Sequence, residues 1–173
     1  MTLSLIDIVE YKYPGQIALG NVYFRKIEPD PEPAPAPEGE PAPEYVYFEP
    51  YLAIAYWNVP NEVQPTEADL LAYGALHERA IEIYSVATQS SPLIQRLLDT
   101  TAQSRQYYDA ASCVSYVTSS NTTWQTESQA FIAWRDSVWD YAYNLYNTLS
   151  GNEDPIPSID DVINGCPVIT WPN

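Results

Sequence analysis

The sequence predicts an α+β protein, with a small N-terminal β-rich domain over residues 1–62 followed by a C-terminal α-helical domain of about three helices and an extended tail over 63–173. Three observations carry that reading. Runs rich in β-branched and aromatic residues lie on both sides of a proline-dense stretch at 28–44, and this chemistry suits a pleated, half-buried surface. Beyond residue 62 the apolar residues recur at three- and four-residue steps instead. Helix caps then punctuate the second pattern.

The opening segment carries Leu5, Ile6, Ile8 and Val9 before a turn at Tyr13-Pro14-Gly15, and it fits either a short helix or a strand. Ile17 to Leu19 and Val22 to Ile27 read as strand. From Glu28 to Glu44, Pro occupies positions 29, 31, 33, 35, 37, 41 and 43. Pro removes backbone donors and favours extended polyproline geometry, so this stretch is expected to be a solvated loop insertion within the β domain. Strand chemistry resumes at Tyr45 to Phe48 and at Tyr51 to Trp57, and if these pair with Val22 to Ile27 the Pro-rich stretch becomes the loop of a β-hairpin.

In the helical part, Thr66 with Asp69 three residues on resembles a capping box, and Leu70, Tyr73, Leu76, Ala80, Ile83, Tyr84 and Ala87 form one stripe. Ser90-Ser91-Pro92 is expected to end that helix and begin a second, carrying Leu93, Leu97, Leu98, Ala102, Tyr107 and Tyr108. Residues 112 to 123, rich in Ser, Thr and Asn, are left open. A third helix is expected from about Thr126 to Leu149, with Phe131, Trp134, Val138, Tyr141 and Leu145 on one stripe and Gly151 as its stop. Ile132, Trp139, Tyr143 and Tyr146 lie off that stripe, so one neighbouring helix does not cover all of its apolar surface. Ser158, Asp161 and Gly165 frame a short last helix, and the apolar tail from Cys166 onward is expected to dock.

The charge balance narrows the partners. Twenty-three acidic residues face 7 Lys and Arg, for a formal net charge of -16, and no basic cluster occurs, so nucleic acid is disfavoured. The N-terminus lacks the basic start of a signal peptide and no run has the length of a membrane span, which points to a reducing cytoplasm. Cys113 and Cys166 stand apart without a Cys-x-x-Cys pair, and no metal or cofactor is expected. His77, the single histidine, falls within a helix rather than at a nucleophile turn, so no catalytic triad is apparent. The adjacent pairs Glu153-Asp154 and Asp160-Asp161 suit loop or cap roles better than paired acid–base catalysis. The composition therefore favours a binding protein over an enzyme. Fifteen Tyr, 5 Trp and 3 Phe exceed what a small core needs, and Tyr and Trp are enriched where proteins meet. The candidate partner-binding residues are Tyr51, Tyr56, Trp57, Trp134, Trp139, Tyr143, Tyr146 and Trp171.

Two segments resemble a known group. Trp57-Asn58-Val59-Pro60, then Gln64-Pro65-Thr66 and an acidic helix start, is similar to a pattern in small tail proteins and tail fibre assembly chaperones of tailed bacteriophages. The Leu5 to Pro14 segment resembles their start. Phe131-Ile132-Ala133-Trp134-Arg135-Asp136, Pro157-Ser158-Ile159 and Ile169-Thr170-Trp171-Pro172 resemble their C-terminal half. The Pro-rich insertion and the long segment between Tyr73 and Trp124 depart from the pattern. The resemblance implies a chaperone that holds the distal part of a trimeric fibre protein while it folds and trimerises. It implies a homotrimer in a three-to-three complex, acting in the host cytoplasm and either released or retained in the virion tail. A permanent minor tail component or fibre-tip adhesin is the first alternative, and a small carbohydrate hydrolase the second.

Overall fold

A computed structural model describes residues 3–27, 51–152 and 154–172. The Pro-rich stretch, the expected strand at Tyr45 to Phe48 and the side chain of Tyr51 lie outside the described residues. Five α-helices, one 3₁₀ turn and a two-stranded antiparallel sheet appear among the described residues, an α+β layout. The chain divides into two compact units, residues 1–78 and 79–173. That division falls inside a long helix, whereas the change in composition falls at 62/63. No described helix is long and apolar enough to cross a membrane.

The first unit begins with α1, Leu5–Lys12, so the opening segment is a helix. Ser4 and Asp7 form a capping box that satisfies the first amide donors. Leu5, Ile8 and Val9 are its buried face. A series of turns follows, with Gly15 at φ 77° and Gly20 at φ 76°, a region that disfavours any side chain. Strand β1, Val22–Ile27, pairs antiparallel with β2, Tyr51–Trp57. Tyr23 faces Tyr56 and Phe24 faces Ile54, so Ala55 is an extra residue that bulges β2. Ile17 to Leu19 belong to the turns before β1 and not to a strand.

Helix α2 runs unbroken over Glu67–Gln103, with Pro92 inside it. Its start is the expected box: Thr66 Oγ1 donates to Asp69 Oδ2 at 2.6 Å and accepts from the Asp69 amide at 3.1 Å. Pro92 does not split the helix, contrary to the sequence expectation. An interior Pro costs about 3 kcal/mol, but each large aliphatic side chain buried beyond it returns about 1.5–3 kcal/mol. Ile94, Leu98 and Ala102 are all buried on the continued helix, which outweighs the cost. The hydroxyls of Ser90 and Ser91 bond back to the carbonyls of Val86 and Ala87, both at 2.7 Å, in the turn where Pro92 disturbs the ladder. Leu76 was expected on the buried stripe and is instead 83% exposed, because Leu70 and Gly74 turn the buried face away from it.

The helix ends at Gln103, so Tyr107 and Tyr108 lie beyond it. Gln106 takes φ 67°, the Gln106 amide donates to Gln103 and the Tyr107 amide to Ala102, a Schellman-type end with Gln where Gly is usual. In the segment left open by the sequence, Asp109 and Ser112 cap a short helix α3, Ala110–Ser115, and a 3₁₀ turn follows at Tyr116–Thr118.

Asn121 caps α4, Thr122–Ser150, a little earlier than its apolar pattern alone suggests. Arg79 closes its far end by donating to the Leu149 carbonyl at 3.0 Å and to the Asp154 carbonyl at 2.8 Å, a cation at a helix C-terminus. The last helix α5, Ile159–Asn164, has the Ser158–Asp161 box and the Gly165 stop as expected. Ile94, Leu98, Ala102, Ala110, Cys113, Phe131, Trp134, Val138, Ala142 and Cys166 make the core of the second unit. The chain after α5 docks on it through Cys166, Ile169 and Trp171.

Candidate functional site

The aromatic residues separate into those that build a core and those that remain on a surface. In the first unit, the bulged pairing of β1 and β2 sets Tyr23 and Tyr56 side by side, with ring centroids 5.7 Å apart. They are 57% and 47% exposed. Trp57 is half-buried, meets Tyr13 edge-on at 5.0 Å and donates its indole N–H to the Glu62 carbonyl at 3.2 Å. The Lys12 ammonium lies over the Tyr73 ring at 4.6 Å and the Tyr13 ring at 5.4 Å. His77 is exposed on α2 and its ring lies tilted by 35° against Tyr73, with centroids 4.3 Å apart.

In the second unit, four of the candidate residues, Trp134, Trp139, Tyr146 and Trp171, belong to or touch the core. Trp134 is 7% exposed and donates its indole N–H to the Pro167 carbonyl at 2.7 Å. Trp171 stacks on Phe131 at 6.0 Å, with the Arg105 guanidinium 5.2 Å from its ring centroid. Tyr146 packs against the core and its hydroxyl meets Ser90 at 2.5 Å. Much of the surplus apolar surface of α4 is therefore covered from within the unit, by α2 and by the C-terminal segment. Trp139 is half-buried against the core, and Tyr143 beside it, at 6.2 Å, is 64% exposed.

A further aromatic surface escaped the sequence reading. Tyr107, Tyr116 and Trp124 form a continuous row, with centroids 5.5 and 5.4 Å apart, and Tyr108 close by in sequence is 85% exposed. The aromatic residues embedded in the Ser-, Thr- and Asn-rich stretch around 116 to 124 were the available signal, because a polar run with no apolar periodicity gives such rings no core to enter. Glu127 anchors the row by accepting from the Tyr107 hydroxyl at 2.8 Å and pairing with Arg105 at 3.6 Å. Burial, then the hydrogen bond to Glu127 and its charge, push the Tyr107 phenol well above its usual value, so it stays a neutral donor.

Both cysteines and two of the capping carboxylates are held by the fold. Burial, and then the Glu127 charge, push the Cys113 thiol up to about 11, and burial raises Cys166 as well, so neither is a ready thiolate. The Ser158 hydroxyl holds Asp161 below the usual carboxylate range, as Thr66 does Asp69. Among the described residues no group of three or more His, Cys, Asp and Glu is arranged to hold a metal ion. Comparisons with protein families, curated proteins and solved structures find no match to the chain.

Proposed function

We propose that this chain is a non-catalytic, protein-binding assembly chaperone for a trimeric bacteriophage tail fibre, the role its sequence resemblance implies. The observation that carries the reading is the pairing of rings at the surface: exposed Tyr23 with Tyr56, exposed Tyr116 with Trp124, and exposed Tyr143 beside half-buried Trp139. Isolated exposed aromatics are ordinary on a protein surface, but neighbouring Tyr and Trp rings give a partner a rigid apolar area with polar edges. Such area is the usual centre of a protein interface.

An unassembled fibre chain exposes strand edges and apolar patches that aggregate before the trimer closes. Binding them lowers the concentration of free, aggregation-prone chain by mass action, with no nucleotide chemistry. The net charge of -16 keeps the loaded chaperone soluble and away from nucleic acid. A three-fold client matches three copies of the chain, each offering Tyr56, Trp57 and Tyr143 together with the Tyr116 and Trp124 rings.

Co-expression of the fibre protein with and without this chain tests the proposal. The fibre should be soluble and trimeric only with it. Equal solubility and equal trimer yield in both cultures rejects the chaperone role. Stoichiometric recovery of the chain in purified virions assigns it instead to the permanent tail structure.

A further inference from the structure

We infer that the outer edge of β2 is a strand-addition site, which takes an extended, basic segment of a partner protein. A cavity of about 200 Å³ is lined by Leu5, Ala53, Ile54, Pro65, Glu67 and Leu70, together with Gln64 and Thr66. Ala53 and Ile54 are consecutive in β2, so their side chains project to opposite faces. A cavity that both line must meet the strand along its backbone. No residue of β1 lines it, and β1 is the one strand paired with β2 among the described residues. The cavity therefore abuts the edge of β2 that faces away from β1.

Along such an edge alternate backbone N–H and C=O groups point outward, and they define the occupant as another extended backbone. The cavity is smaller than small-molecule sites, which run to about 300–1,000 Å³. It suits one aliphatic side chain of an added strand, against Leu5, Ile54, Pro65 and Leu70. Glu67 is exposed at its rim and forms no ion pair among the described residues, whereas Asp69 is committed to the Thr66 cap. A Lys or Arg beside the inserted side chain complements Glu67 and the net charge of -16. The inference rests on the protein-binding reading above, and an unassembled β-structured chain supplies the segment.

The probe is a random dodecapeptide display library selected on the full chain, with the dominant peptide then synthesised. It should alternate apolar and other residues, carry Lys or Arg, and slow amide exchange in β2. Methylation of alternate peptide amides should abolish binding without altering the protein. Gln64→Trp, which fills the cavity from an exposed position, should weaken binding about tenfold or more, and Glu67→Lys by several-fold. Val168→Ala, at a 90% exposed position outside every surface named above, should leave it unchanged. Recovery of no peptide, protection elsewhere in the chain, or indifference to amide methylation overturns the inference. Fibre co-expression separates the two proposals. Full fibre assembly with Gln64→Trp overturns strand addition and leaves the chaperone role standing. Peptide addition at β2 by a chain that does not help the fibre does the reverse.

Discussion

The Tyr146 phenol and the Ser90 hydroxyl meet at 2.5 Å, joining α4 to the turn of α2 that precedes Pro92. Ser90 is fully buried and also bonds at 2.7 Å to the Val86 carbonyl, an acceptor only. Its single proton therefore goes to Val86, and Tyr146 is the donor in the shared bond.

That direction fixes a double-mutant prediction. Ser90→Ala leaves the Tyr146 hydroxyl without its acceptor and should cost about 1–3 kcal/mol, while Tyr146→Phe keeps the Ser90–Val86 bond and should cost about 0.5–1.5 kcal/mol. The double variant should lose less than the sum of the two. Urea unfolding of all four proteins measures this, and strictly additive losses would mean that the two hydroxyls do not interact.

Gly74 gives a packing prediction within the first unit. A Cβ there would stand 2.6 Å from Ile8 Cδ1, and Ile8 is 1% exposed. Gly74→Ala should gain about 1 kcal/mol of helix propensity and lose about 1–3 kcal/mol to overpacking, for a net loss. Ile8→Val removes the clashing methyl. Thermal midpoints should show Gly74→Ala less harmful in the Ile8→Val background than in the natural sequence, and the opposite order rejects the close approach.

Local chemistry was readable from sequence, and non-local chemistry was not. Thr66 with Asp69, and Ser158 with Asp161 and Gly165, act within one turn of chain, so their spacing alone revealed the caps. Pro92 was misread because the side chains that hold α2 together across it find their core partners on α4, far along the chain. Trp134 and Trp171 look like any other surplus aromatics until Pro167 and Phe131 come to meet them. The Tyr116 and Trp124 row was hidden by a run with no period to read. Asp109, the cap of α3, stands just before that run, with its partner Ser112 three residues on.

Alkaline stability should be limited by the buried thiols. The folded chain holds the Cys113 proton up to about 11, above the ordinary value of 9.0. The folded form therefore binds that proton more tightly than the unfolded chain. The resulting stabilisation is complete below about pH 9 and is lost as pH rises toward 11, when the unfolded chain releases a proton the folded one keeps. Each such group contributes a slope of at most about 1.4 kcal/mol per pH unit. Cys113→Ala should lower stability at neutral pH by leaving a void, yet show a flatter decline between pH 9 and 11. Parallel curves for the two proteins reject the assignment.

Trp171 and Trp124 should respond in opposite ways to truncation. Trp171 stacks on Phe131 and packs against the buried core, so Trp171→Ala removes apolar contact from the interior of its unit. A loss of about 2–3 kcal/mol of stability is expected. Trp124 is 47% exposed and touches Tyr116 edge-on at 5.4 Å, so Trp124→Ala should change stability by no more than about 0.5–1 kcal/mol. If the row from Tyr107 to Trp124 binds the fibre, the same substitution should weaken that complex by about 2 kcal/mol, some thirty-fold. Calorimetry on the free proteins and fibre capture at matched folded fraction give the two readouts. A Trp124→Ala protein that is as stable as the natural one and captures fibre equally well removes this row from the interface. The rings of Tyr56 and Tyr143 are then the surfaces left to carry binding.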